Sequence, residues 1–181
     1  MGFIQKVVDR DGNVLVEYSP NPRQVIEEST AYVMTYLMEE VVKYGTGWRV
    51  KALNRPAAGK TGTTNKLNDA WFVGYTPEYI TGVWVGFDQE QSLGKQETGS
   101  MAASPIWLDF MQQALEGRPV SVFNAPDSVV FVKIDAQTGL LPVQESQNTV
   151  LECFKEGTAP AESSKRPGTV TETEDFFKGG F

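Results

Sequence analysis

Gly59-Lys60-Thr61-Gly62-Thr63-Thr64 follows a short apolar stretch, and strand-like Ala70-Trp71-Phe72-Val73-Gly74-Tyr75 comes soon after it. Gly-Lys-Thr suggests a phosphate loop, whereas Lys-Thr-Gly-Thr suits an extended edge strand. A phosphate loop needs G-x-x-x-x-G-K-[ST] opening a helix. Counting back from Lys60, the first glycine would stand where Asn54 is found. Thr61-Gly62-Thr63-Thr64-Asn65 is also a poor helix start with strong β character. A Walker-B-like Val83-Trp84-Val85-Gly86-Phe87-Asp88 is too loose a match to rescue nucleotide binding. The strand reading is preferred.

Working outward, three strands are expected at Lys60–Thr64, Ala70–Tyr75 and Tyr79–Gly86, the last two joined by the turn Thr76-Pro77-Glu78. A helix from about Ala102 to Leu115 carries Ile106, Trp107, Phe110, Met111 and Leu115 along one side. Pro105 suits its first turn, and Gly117 and Pro119 close it. Short connections imply an antiparallel sheet with packed helices, an α+β fold.

Upstream, Phe3–Val8 and Val14–Tyr18 flank Asp9-Arg10-Asp11-Gly12-Asn13 as a hairpin. A calcium loop would put its glycine sixth, not fourth, and an acid twelfth, where Pro20 stands. From about Arg23 to Tyr44, Ile26, Thr30, Val33, Met34, Leu37, Met38, Val41 and Val42 form one helical stripe, expected to pack into the core. Gly45 is expected as its left-handed C′ residue. Downstream, Val129–Ile134 and Leu140–Val143 are expected to pair around Asp135–Gly139. A Thr-, Ser-, Glu-, Pro- and Gly-rich tail is expected from Glu156, ending in the aromatic Phe176-Phe177-Lys178-Gly179-Gly180-Phe181. The expected organisation is 1–125 as the main unit, 126–155 as a small β extension and 156–181 as a tail.

The totals narrow the chemistry. With 181 residues, 40% hydrophobic and 22% charged, the chain is long enough for a real core. A net charge of −7 argues against a nucleic-acid partner, which would need clustered Lys and Arg. The lone Cys153 excludes an intramolecular disulfide and a Cys-based zinc site. The absence of histidine removes Ser-His-Asp and Cys-His catalysis and the commonest metal ligand. No cofactor or metal is expected. No signal peptide or membrane span is evident, so the chain is either cytosolic or a piece whose targeting segment lies upstream.

On a strand, Lys60 and Gly62 share one face and Thr61 and Thr63 the other. Gly62 leaves room for a substrate backbone, and the Thr63 N–H is suited to a developing oxyanion. The Thr61 and Thr63 hydroxyls, with Lys60 nearby, suit a carboxylate. Arg55-Pro56-Ala57-Ala58-Gly59-Lys60-Thr61-Gly62-Thr63-Thr64-Asn65, then Asp69-Ala70-Trp71-Phe72-Val73-Gly74-Tyr75-Thr76-Pro77, closely resembles the transpeptidase domain of class A, bifunctional penicillin-binding proteins. Thr81–Asp88, Gly45-Thr46-Gly47, Ala103-Ser104-Pro105-Ile106-Trp107 and Gly157-Thr158-Ala159-Pro160 extend the resemblance over roughly residues 3 to 160. It implies a partial penicillin-binding/serine β-lactamase-like fold, cross-linking of peptidoglycan stem peptides through an acyl-serine, and inhibition by β-lactams. The implied catalytic residues are Lys60 and Thr63, and the implied substrate-binding residues are Lys60, Thr61, Gly62, Thr63 and Thr64. An extracytoplasmic location, anchored by an upstream segment, and an upstream glycosyltransferase are implied with it. A serine β-lactamase shares the motif, but the Trp-rich strands and C-terminal extension fit the synthase better.

In that family S-x-x-K and S-x-N precede K-T-G. Here Ser92-Leu93-Gly94-Lys95 follows it in a polar loop, Ser146-Gln147-Asn148 also follows it, and Ser19-Pro20-Asn21 sits at a helix entrance. All three are read as chance matches. The chain is therefore expected to be the C-terminal part of a transpeptidase domain, without its nucleophile and inactive alone. It is also expected to expose an edge that the upstream polypeptide, or a dimer, would cover. The alternatives are a non-catalytic peptide- or carboxylate-binding module and a nucleotide-binding protein.

Overall fold

The computed structural model describes residues 4–19 and 23–164. Its centre is the antiparallel sheet β3 (Ala58–Thr63), β4 (Asp69–Tyr75) and β5 (Ile80–Gly86), in that order, with β3 at one edge and β5 at the other. Strand alternation sends Ala70, Phe72 and Gly74 of β4 to one face, where all three are buried. Helix α2 (Ser104–Ala114) covers that face through Trp107 and Met111, both fully buried. The Trp107 indole meets Phe72 edge-on at 5.3 Å and donates its N–H to the carbonyls of Gly74 (3.2 Å) and Thr81 (3.0 Å). Gly74 is glycine because a Cβ there would lie 2.6 Å from the Phe72 ring and 3.0 Å from Trp107.

α2 does not begin at Ala102 as an α-helix. A π-helical turn, Gly99–Ala103, precedes it, and Pro105 occupies the first turn of the α-helix proper. Beyond the other end, the Arg55 guanidinium donates to the carbonyls of Leu115 (3.1 Å), Arg118 (2.6 Å) and Pro119 (2.9 Å). It thereby ties the segment that follows α2 back to Arg55, just before β3. Gly117 takes the left-handed φ of +71° at that end.

Helix α1 spans Glu28–Lys43 and packs on β3. Residues 23–27 of the expected helix are not helical, Glu27 being extended at φ −65°, ψ 145°. Gly45 is not left-handed. It is small because a Cβ would press within 3.0 Å of the Val41 carbonyl oxygen. The apolar stripe is only partly covered: Val42 is buried, while Met34 and Leu37 are each 48% exposed.

Two hairpins complete the chain. β1 (Lys6–Val8) and β2 (Val14–Glu17) pair as expected, and every residue of both is exposed. Their turn is tied by Asp9, whose carboxylate accepts the N–H groups of Asp11 (2.9 Å) and Asn13 (2.8 Å), with Gly12 at φ +85°. The second hairpin departs from expectation. β6 (Val129–Asp135) pairs with β7 (Thr149–Lys155), not with Leu140–Val143.

The reason is the turn after β6. Asp135 accepts the N–H groups of Gln137 (2.9 Å) and Thr138 (3.1 Å), and the segment then leaves the sheet. Leu141 bridges Ser163 instead. Residues 156–164 of the expected tail are thus placed, with Ser164 buried beside the Thr138 hydroxyl at 2.6 Å. The aromatic ending Phe176–Phe181 lies outside the described residues. Among those residues no helix is long and apolar enough to cross a membrane.

Candidate active site

All five residues singled out in sequence, Lys60, Thr61, Gly62, Thr63 and Thr64, lie on or directly after β3, whose outer edge is free among the described residues. Register sets their faces. Thr61 and Thr63 pair with Phe72 and Ala70 on the face packed by α2, and Lys60 and Gly62 pair with Val73 and Trp71 on the open face. The Thr64 N–H bonds the Asp69 carbonyl at 3.1 Å, toward β4. Peptide groups alternate direction along an antiparallel strand, so Gly62 also faces β4, whereas Thr61 and Thr63 turn their N–H and C=O groups away from the sheet.

The outward Thr61 carbonyl accepts the Lys60 ammonium at 2.8 Å, which lays the cation along the free edge. Among the described residues Lys60 has no ion-pair partner. The Thr61 hydroxyl pairs with that of Thr46 at 2.7 Å, and the Thr63 hydroxyl accepts the Gly99 N–H at 3.1 Å. Gly99 rides directly over the β3–β4 ladder. A Cβ there would fall 2.2 Å from the Trp71 carbonyl oxygen and 2.6 Å from that of Gly62.

Thr46 and Gly99 are therefore site neighbours that the residue-by-residue reading did not single out. Gly45-Thr46-Gly47 was legible as a helix stop and as part of the resemblance. Its contact with Thr61 depends on α1 folding back over β3, which the sequence does not encode locally. A groove of about 550 Å3 opens at the end of β3, lined by Thr63, Thr64, Asn68, Asp69, Phe87 and Glu90 among others.

Of the three chance serine matches, two lie in irregular segments where their hydroxyls make local hydrogen bonds. Ser92–Lys95 is an irregular loop with Gly94 at φ +117°, where the Ser92 hydroxyl accepts the Gly94 N–H at 3.2 Å. Ser146 is used in the segment after β6, accepting the Val143 N–H at 3.1 Å, and its hydroxyl helps hold the Asp135 carboxyl below its ordinary range. Ser19 is exposed, and Pro20 and Asn21 lie outside the described residues.

A Lys-Thr-Gly-Thr edge strand on a helix-backed antiparallel sheet is the arrangement of a penicillin-binding protein transpeptidase fold. Residues 2–112 match the family described as penicillin binding protein transpeptidase domain, and residues 125–169 match the penicillin-binding protein 1A C-terminal domain. The chain is 42% identical over 155 residues to penicillin-binding protein 1A of Pseudomonas aeruginosa, covering 84% of this chain and 19% of that protein. It is 40% identical over 158 residues to penicillin-binding protein 1A of Aquifex aeolicus, covering 87% and 22%. The crystal structure of penicillin-binding protein 1A from Haemophilus influenzae superposes with a TM-score of 0.78 at 28% identity, over 90% of this chain and 30% of that one. The chain belongs to the penicillin-binding protein transpeptidase family. It spans about a fifth of the length of these curated relatives.

Proposed function

We propose that this chain forms the substrate-side wall of a peptidoglycan D,D-transpeptidase, the reading most supported by the outward-facing peptide groups of Thr61 and Thr63 on a free edge. A stem peptide ending in D-Ala-D-Ala aligns along β3. A serine hydroxyl attacks the penultimate D-Ala carbonyl and forms an acyl-serine with loss of the terminal D-Ala. The amine of a second stem peptide then takes the acyl group and frees the serine. In this scheme the Thr63 N–H bears the developing oxyanion. Lys60 and the Thr61 and Thr63 hydroxyls hold the peptide carboxylate, Gly62 admits its backbone, and Thr64 closes the strand. β-Lactams enter by the same route and remain as acyl-serine esters.

The serine and its base are contributed by polypeptide other than these residues, so the chain alone is inactive. The reaction belongs outside the cytoplasm, on a protein anchored through another segment and carrying a glycosyltransferase unit. The same reading seats the rest of the polypeptide against the free β5 edge and the face bearing Trp71, Val73 and Trp84, each about 45% exposed. A dimer through that face is the alternative occupant, which sedimentation of this chain distinguishes.

Labelling with a fluorescent penicillin tests the proposal. The full-length protein is expected to form a covalent adduct, and Lys60→Ala to slow it by on the order of a hundredfold, as for loss of a group that positions the substrate. This chain by itself should give no adduct. Normal acylation of the Lys60→Ala protein, or a covalent band on the isolated chain, refutes the assignment.

A further inference from the structure

We propose that Asp69 is a positioning residue for acyl transfer: anchored by Trp84, it clamps Thr64 and so fixes the direction of the adjacent Thr63 amide. This rests on the transpeptidase reading above. The clamp is reciprocal. The Thr64 hydroxyl accepts the Asp69 N–H at 2.8 Å and donates to the Asp69 carboxylate at 3.0 Å, and the Thr64 N–H donates to the Asp69 carbonyl at 3.1 Å. The other carboxylate oxygen accepts the Trp84 indole N–H at 2.8 Å. Two donors thus hold the carboxylate from opposite strands, and charge-assisted bonds of this kind are the stronger ones.

Two further observations show that the clamp is built into the sheet. The turn that it closes contains consecutive non-glycine residues in the left-handed region, Lys66 at φ 64° and Leu67 at φ 59°. Such backbone persists only where its surroundings determine it, and here the Thr64–Asp69 bonds close it from both sides. Gly86, opposite Asp69 in register, leaves the room needed. A Cβ there would stand 2.4 Å from the Trp84 ring and 2.8 Å from the Asp69 carboxylate oxygen. Thr63 is the residue immediately before the clamp, and a small misdirection of a transition-state donor costs rate steeply.

The test uses the full-length protein and the rate of penicillin acylation per titrated active site, with the melting temperature measured in parallel. Asp69→Ala is expected to slow acylation about tenfold to a hundredfold per titrated site. Thr64→Val is expected to match it, and the double variant to be no slower than either single, because both break one clamp. Asp69→Asn should stay within about threefold of the parent. Its amide oxygen can accept from Trp84 while its NH2 donates to the Thr64 hydroxyl.

A parental rate for Asp69→Ala with only a lowered melting temperature overturns the proposal, as does a double variant whose losses multiply. Trp84→Phe, expected to fall between parent and Asp69→Ala, serves if Asp69→Ala does not fold. A parental rate for Trp84→Phe then counts against the proposal. Lys60→Ala separates the two levels. If it acylates normally the transpeptidase reading fails; if it does not while Asp69→Ala does, only the clamp fails.

Discussion

The sheet β3-β4-β5 and the hairpin β6-β7 use antiparallel strands of the same seven-residue length in β4 through β7, yet they are held in opposite ways. The sheet buries one face against Trp107, Met111 and Leu115, all at most 1% exposed. The hairpin buries little beyond Ile134, Asp135 and Cys153, and meets α1 and its N-cap through discrete contacts. These include the Tyr36 hydroxyl to the Leu151 carbonyl at 2.7 Å, Lys155 to Glu27 and to the Thr30 hydroxyl, and Phe131 edge-on to Tyr32 and Tyr36. A filled core fixes register and direction together, whereas a few polar contacts fix only attachment. The candidate site lies on the element whose geometry the core determines, as a site that aims backbone donors requires.

The most severe way to break this contrast is Trp107→Ala. It removes a fully buried indole, two hydrogen bonds and the Phe72 contact, at a cost of about 3–5 kcal/mol. Hydrogen exchange should accelerate through β4 and β5 and leave β6 and β7 unchanged. Equal acceleration in the hairpin would show that the two regions share one cooperative core. Next in size is Gly99→Ala, which drives a methyl into the Trp71 and Gly62 carbonyls. Overpacking of this kind costs about 1–3 kcal/mol. The strand bends or the π-helical turn shifts, so the variant should lose acylation in the full-length protein by more than its melting temperature alone accounts for. A parental acylation rate would mean that Gly99 does not bear on the strand.

The same contrast explains what the sequence revealed. The three central strands, α2 and the Lys60–Thr64 edge were legible because alternation, turn residues and a distinctive motif agree locally. The partner of β6 was not. Leu140–Val143 has the apolar run that a hairpin needs, but Asp135 diverts the chain through its own backbone hydrogen bonds, and the true partner begins at Thr149. The extent of α1 was overread because Ile26 continues the helical stripe into residues 23–27, which are not helical. Thr46 and Gly99 reach the site only through long-range packing, and the Asp69 carboxylate through the left-handed turn after Thr64; no periodicity reports either.

The mildest probe acts on the attachment of the hairpin. Tyr36→Phe removes the bond to Leu151 but keeps the ring contact with Phe131, so it should cost on the order of 1 kcal/mol and act on the hairpin alone. Burial, helped by the nearby Glu152 charge, pushes the Tyr36 phenol up to about 12. Its ordinary value is about 10. A raised pKa means that the folded state favours the protonated phenol. This contribution is fully present below about pH 10 and is lost as pH rises through about 12. Ionisation also removes the proton donated to the Leu151 carbonyl, so hairpin release and deprotonation are coupled. A spectrophotometric tyrosine titration should show a late step near pH 12 that Tyr36→Phe removes, with the methyl resonances of Leu151 shifting over the same range. If the late step survives in Tyr36→Phe, or Leu151 does not respond to it, the hairpin is held by its aromatic and ionic contacts alone.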